Sequence, residues 1–344
     1  MDTHKDTLAV ALVDQSGRRQ EGVRVANNEA GHQQLIEWLV QQGPVERFGI
    51  EGAGGYGRAV ALALACAEVL VVDVPPVLTM RERRRSRLPG KSDPADALAI
   101  ARITAREDDL ARVAPGGVAD DLKLLVDYRE QLVGERTRIA NRAHADLAIL
   151  CPGYQSRCRD LRSARALETA RQVLGEQIGV RVELVRKRLD RLAELDGEIR
   201  SLERRIRSTV TDSGTALTDI HGVGPLVAAL IMGEVGDIRR FRSKSKFAAA
   251  NGSAPVPASS GRTQRHRLSR GGNRKLNRAL YIIALTQARA DHCGREYLLR
   301  KQQEGKSRRE AMRCLKRRIS DAVYRSLVTD SGGPPPGLLD IEAH

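Results

Sequence analysis

A heptad-like run in the middle of the chain constrains the fold more than any other feature. Val182, Val185, Leu189, Leu192, Leu195, Ile199, Leu202 and Ile206 recur at steps of three and four, with Arg, Lys and Glu between them. That spacing gathers them on one stripe of a long helix. The stripe needs a cover, either a second helix of the same chain or a coiled coil with another protomer. Residues 119–210 therefore read as long helix, with Cys151-Pro152-Gly153 as the break and the natural tip of a hairpin. The default role of this segment is structural.

The residues before it follow a different period. Thr7 to Val13 (TLAVALV) reads as a strand closed by the turn Asp14-Gln15-Ser16-Gly17, and Glu21 to Val25 as its hairpin partner. A helix over 29–42 carries Leu35, Ile36, Leu39 and Val40 on its apolar side. A short strand, Arg47 to Ile50, runs into Glu51-Gly52-Ala53-Gly54-Gly55-Tyr56-Gly57, and a helix from Arg58 to Ala67 leads to a buried strand, Val69 to Val74. This alternation implies a sheet covered by helices. Glu51 stands where a strand ends, and open α/β sheets place their ligands at such ends. The glycines match neither a Walker pattern nor G-x-G-x-x-G, so they serve a sharp turn.

Charge narrows the partners. Lys and Arg number 58 against 43 Asp and Glu, a net charge of +15. Such a surplus points to nucleic acid, and less often to an anionic membrane. No apolar run reaches membrane-spanning length and no signal peptide opens the chain, so no membrane partner is expected. With Phe 3, Tyr 6 and Trp 1, base stacking is a minor mode and phosphate contacts dominate. Cys66, Cys151, Cys158, Cys293 and Cys314 form no CxxC pair, which argues against a zinc ribbon or a disulfide framework. The expected location is a reducing cytoplasm, at the nucleoid.

The most informative polar stretch is Gly90-Lys91-Ser92-Asp93-Pro94-Ala95-Asp96. Pro94 suits the first position of a helix and Asp93 its cap, and Asp96 lies three residues on, on the same face. Ala97, Ile100 and Ala101 would bury the helix. Arg81-Glu82-Arg83-Arg84-Arg85-Ser86-Arg87 precedes it. One reading is a divalent metal on the carboxylates, with Arg83, Arg84, Arg85 and Lys91 holding a polyanion against it. The other is a cap and a first-turn acid favoured by the helix dipole, beside a solvated loop.

A second basic region begins at Ile220-His221-Gly222-Val223-Gly224-Pro225, leading into an apolar helix, Leu226 to Met232. Gly222 and Gly224 can present backbone N–H groups to a phosphate, or can form a plain packing corner. Further on, Ser259 and Ser260 stand in a loop followed by Arg262, Arg265, His266, Arg267, Arg270, Arg274, Lys275 and Arg278, a nucleic-acid-binding set. From composition alone the two serines are ordinary loop residues. The stretch His266-Arg267-Leu268-Ser269-Arg270 is one residue too long for the His-x-x-Arg of tyrosine recombinases. A last helix, Ser307 to Val328, places Met312, Leu315, Ile319 and Val323 on one face, and the Gly-Gly-Pro-Pro-Pro-Gly segment reads as part of a disordered tail.

In order and context, Asp2 in M-D-T-H-K-D, Glu51 in G-I-E-G-A-G-G-Y-G, and Asp93 with Asp96 in K-S-D-P-A-D-A resemble the DEDD transposases of bacterial insertion sequences. Gly272-Asn273-Arg274-Lys275-Leu276-Asn277-Arg278-Ala279-Leu280, after a proline-containing Ser-Gly loop, is similar to that family's C-terminal motif. The resemblance implies an α/β RNase H-like (RuvC-like) domain at 1–110, then a helical hairpin or coiled-coil linker at 111–212. A mostly α C-terminal domain at 213–330 and a disordered tail at 331–344 would follow. It also implies Asp2, Glu51, Asp93 and Asp96 as catalytic ligands of Mg²⁺, as two ions roughly 3.5–4 Å apart. Ser260 would be the nucleophile, with Ser259 one register away. Implied partners are DNA (element ends and target), a structured guide RNA, and further copies of the chain as a dimer or tetramer sharing composite sites. One departure stands out: RNase H-like folds place the first aspartate on a strand with apolar residues before it, and here only Met1 precedes Asp2. Two alternatives stay open, a metal-dependent junction nuclease without a covalent intermediate and a catalytically degenerate DNA-binding relic.

Overall fold

A computed structural model of the chain describes residues 1–85, 92–108, 110–113, 116–257, 266–267, 272–290 and 292–332. They fall into two units, one of residues 1–117 with 237–247, the other of 118–236 with the remainder from 248 on.

The first unit runs β1 (Asp2–Thr3), β2 (Thr7–Val13), β3 (Arg19–Ala26), α1 (Glu29–Gln41), β4 (Phe48–Ile50), α2 (Arg58–Cys66), β5 (Val71–Asp73), α3 (Pro76–Arg85), α4 (Asp93–Arg106) and β6 (Ala111–Arg112). β2 pairs antiparallel with β1 and with β3, β4 pairs parallel with β5, and β6 lies antiparallel to β5. The two three-stranded pieces are joined through one residue. Met1 donates its nitrogen to Gly49 O at 2.7 Å, and Glu51 N–H donates to Met1 O at 3.2 Å. A residue that donates two positions before the one it accepts from makes a parallel bridge. The strand order is thus β3-β2-β1-β4-β5-β6, with β2 antiparallel to its neighbours. The backbone of Met1 makes this join, and its side chain is buried in the core.

Both faces of this sheet are covered. Successive side chains on β5 point to opposite faces, so Val71 joins Leu8, Leu35, Ile50, Val60 and Leu64 while Val72 joins Val74, Ile100 and Ile103. Helix α4 covers the second face. Its start differs by one residue from the sequence expectation: Ser92 is the cap, in extended backbone (φ −144°, ψ 142°), Asp93 is the first helical residue and Pro94 the second. Proline tolerates either place because neither N–H has a partner within the helix. As a result Asp93 is not a cap, and its carboxylate is directed elsewhere. At the other end Arg47 donates to Ala105 O and Glu107 O, both at 3.0 Å, satisfying carbonyls that a helix end leaves unpaired.

Gly49 sets how closely α4 approaches the sheet. A Cβ built there would lie 1.8 Å from Thr104 Oγ1, on a buried turn of α4. Gly49→Val is expected to force the helix off β4 and cost about 3 kcal/mol by overpacking. Thermal unfolding followed by far-UV circular dichroism checks this; an unchanged transition would contradict the contact.

The second unit contains α5 (Val118–Leu150), α6 (Ala164–Leu174), α7 (Val180–Asp212), α8 (Pro225–Val235), most of the loop end after α9 (Lys244–Ala250), the ribbon β7 (Val256–Pro257) with β8 (His266–Arg267), and α10 (Arg274–Arg289), α11 (Cys293–Gln303) and α12 (Arg308–Asp330). The heptad stripe is covered within the chain. Arg129 pairs with Glu203, Arg136 with Asp196, and Arg188 with Asp146, so α5 and α7 run antiparallel. Of the stripe residues, Leu202 is partly buried and the others are buried. The hairpin tip is broader than Cys151-Pro152-Gly153. α5 ends at Leu150 and Gly153, at φ 79°, caps the short turn Tyr154–Ser156, but residues 151–179 then add the amphipathic α6, whose Leu167, Ala170 and Leu174 close the end of the pair. Helix α8 packs against both long helices, and a Cβ at Gly233 would lie 2.8 Å from Lys123 Cα. The hairpin and most of the C-terminal segment therefore share one unit. Among the described residues, no helix is long and apolar enough to cross a membrane.

Candidate active site

Parallel strands bring residues distant in sequence to one edge of the sheet. Ile50 is in register with Asp73, and Met1 bridges beside Ile50, so Asp2, Glu51 and Asp73 all stand at the C-terminal edge. That is the edge where open sheets bind ligands. The turn after Glu51 is held tightly. Thr3 Oγ1 donates to Glu51 O at 2.8 Å, Gly52 adopts φ 77°, and a Cβ at Gly57 would lie 2.8 Å from Ile50 Cγ2.

Helix α4 delivers the other two acids. His4 Nε2 lies 3.3 Å from Asp2 Oδ2 and 3.2 Å from Asp93 Oδ1, while Arg24 Nη2 reaches Asp93 Oδ2 at 3.2 Å. Asp96, one turn along α4, is 2% exposed, and Asp2 is 8% exposed. The Met1 amine reports on the same neighbourhood. Burial lowers it to about 5, although the nearby charges of Asp2 and Glu51 pull it back up. Burial likewise raises the Asp73 carboxyl, against the Ala53 N–H it accepts at 3.3 Å and the charge of Arg240.

The donor set suits a divalent metal. Ligand atoms from Asp2, His4 and Asp93 lie within 4.8 Å of one another, and His4 Nε2 is buried without a hydrogen bond. Asp2 and Asp93 offer hard oxygen ligands beside the positive end of α4, with His4 adding a nitrogen. Sequence reasoning gave His4 no role and did not single out Asp73. The signals were there: His4 stands two residues after Asp2, the spacing that keeps side chains on one face of a strand, and Asp73 is the charged end of an apolar strand.

In the second unit, described residues on both sides of the serine loop form a neck. Ser259 and Ser260, with Arg262, Arg265 and Arg270, lie outside the described residues, as does Lys91 of the first unit. The chain on either side of the serine loop is pinned together. Asn273 N–H donates to Ala250 O at 2.7 Å, and Asn277 Nδ2 to Asn251 O at 2.9 Å. Asn251, fully buried, donates to Ser320 Oγ on α12 at 2.8 Å. Gly272 has no room for a side chain: a Cβ would meet Gly252 N at 2.3 Å. Asn273 caps α10 by accepting from Lys275 and Leu276 N–H, and its amide donates to Glu234 Oε2 at 2.6 Å. The Gly-Asn pair is thus the hinge on which α10 leaves the loop.

The basic residues divide by environment. Arg274 is exposed at the start of α10, whereas Lys275 pairs with Asp127 and Glu234, and Arg278 with Glu130. His266 and Arg267 form β8, in register with Pro257 and Val256. Arg83, Arg84 and Arg85 end α3, and nothing is described of their side chains. Gly222, at φ 90°, packs closely against α10, where a Cβ would lie 3.1 Å from Thr286 Cβ. Gly224 caps α8 and faces open space.

The chain is similar in sequence to known proteins over most of its length. A transposase model of the DEDD, IS110 type matches residues 1–152, and a model of the transposase IS116/IS110/IS902 family matches residues 214–299. The protein of insertion element IS116 from Streptomyces clavuligerus is 28% identical over 95% of this chain and 93% of its own length. The protein of insertion element IS900 from Mycobacterium paratuberculosis is 28% identical over 95% of this chain and 94% of its own. A mini-circle putative transposase for IS117 from Streptomyces coelicolor is 24% identical over 93% and 91%. With both segments matched in order, and with relatives that span almost the whole length, this chain belongs to the IS116/IS110/IS902 family of transposases, enzymes that act on DNA.

Proposed function

We propose that this transposase cuts and rejoins the DNA of an insertion element with a metal centre on an RNase H-like sheet and a serine nucleophile. The observation that carries the reading is the convergence of Asp2 and Asp93 on one imidazole, with Glu51 at the neighbouring strand end and Asp96 one turn along α4. The strand order, with β2 antiparallel to its neighbours, supports the RuvC-like arrangement.

In this reading Asp2, Glu51, Asp93 and Asp96 hold Mg²⁺ as two ions, which when bound polarise the scissile phosphate and stabilise the leaving oxygen. Arg24 fixes one oxygen of Asp93 and leaves the other turned toward His4, which also reaches Asp2. Ser260 Oγ attacks the phosphorus, its proton passes to solvent, and the bond to the leaving strand's oxygen breaks. The phosphoserine keeps the phosphodiester energy, so a hydroxyl of another strand can reverse the step and rejoin DNA. Arg83, Arg84, Arg85, Lys91, Arg262, Arg265, His266, Arg267, Arg270 and Arg274 grip phosphates. The few aromatic residues suit a protein that holds backbones and leaves sequence reading to a structured guide RNA. Further copies of the chain complete the assembly as a dimer or tetramer.

The test is incubation with element-end DNA, RNA transcribed from the element and a divalent metal, followed by a denaturing gel. The reading expects cleaved strands carrying covalently attached, protease-sensitive protein. Cleavage with no such adduct would instead favour a junction nuclease.

A further inference from the structure

We infer that His4 is itself a metal ligand, and that it tunes the position at Asp2 and Asp93 toward first-row transition ions such as Mn²⁺ and Co²⁺ over Mg²⁺. This rests on the metal-centre reading and adds a nitrogen donor to its carboxylates.

Three observations carry it. First, the separations from His4 Nε2 to Asp2 Oδ2 and Asp93 Oδ1, 3.3 and 3.2 Å, are those of co-ligands. Two atoms each about 2.0–2.1 Å from one cation stand roughly 2.8–3.0 Å apart in octahedral and about 3.3–3.4 Å apart in tetrahedral geometry. Second, Nε2 is shielded from solvent yet makes no hydrogen bond, despite two carboxylates within reach. An imidazole that served only to pair with an acid would point an N–H along a carboxylate lone pair. Third, Arg24 occupies Asp93 Oδ2, so Asp93 Oδ1 and not its twin is turned toward His4.

The consequence is selectivity. Mg²⁺ is hard, favours oxygen and keeps several waters, so it gains little from an imidazole. Mn²⁺ and Co²⁺ accept mixed nitrogen and oxygen sets, and Co²⁺ binds nitrogen more strongly than Mn²⁺ does.

The test is Co²⁺ titration of the full-length protein, read by visible d–d absorption, with Mg²⁺ affinity measured by competition. Wild type is expected to bind Co²⁺ at least about tenfold more tightly than His4→Ala, with Mg²⁺ affinity equal within about threefold. His4→Gln, which keeps the size and offers oxygen, should behave like His4→Ala toward Co²⁺. If either His4 variant binds Co²⁺ as tightly as wild type or more so, the imidazole is only a counter-charge to the two acids and the inference is overturned. Asp93→Asn separates the two levels. It should lose both ions; if it binds both as wild type does, the metal-centre reading itself fails.

Discussion

Asp96→Asn is expected to abolish strand cleavage while leaving the fold intact. Asp96 lies in the first turn of α4, 2% exposed, at the helix end that faces β1 and β2. Asparagine keeps its shape and removes one negative charge. Far-UV circular dichroism is expected to show the wild-type fold. Cleavage should fall on the order of 10³-fold, about 4 kcal/mol of transition-state stabilisation, because a fixed charge at the reacting phosphate is lost. Wild-type cleavage by a folded Asp96→Asn protein would remove α4 from the chemistry.

Ser260→Ala is the second large effect. It is expected to eliminate the covalent protein–DNA adduct and to lower recombination by a factor on the order of 10³ or more, with Ser259→Ala retaining both. Among the described residues, Asn251 is held by Ser320 on α12 and Asn277 on α10, and Asn273 by Glu234 on α8. Adduct formation that survives in Ser260→Ala and disappears in Ser259→Ala would shift the nucleophile by one residue. Survival in both would overturn the serine step.

Periodicity made the large elements legible. The steps of three and four from Val182 to Ile206 became the buried stripe of α7, and the alternation before residue 75 became the covered sheet. What it could not decide was the partner of the stripe, because an α5–α7 hairpin and a coiled coil between protomers have the same pattern. The join through Met1 was invisible for another reason: it is made by backbone groups, which carry no residue signature. Asp93 illustrates a third limit. A cap and a first helical residue differ by one position in sequence, yet only the latter frees the carboxylate for His4 and Arg24. The four acids were singled out through the resemblance, in which their order and context count together, since each motif alone is an ordinary helix cap or turn.

The central claim is that Asp2, Glu51, Asp93 and Asp96 surround one metal centre, and iron-directed cleavage of the polypeptide tests it most directly. Fe²⁺ loaded in place of Mg²⁺, with ascorbate and peroxide, releases hydroxyl radicals that cut backbone close to the ion. The account predicts cuts clustered around Glu51 and around Asp93 to Asp96, suppressed by excess Mg²⁺ and absent in Asp96→Asn. Cuts confined to residues 118–236, or spread evenly and indifferent to Mg²⁺, would contradict it.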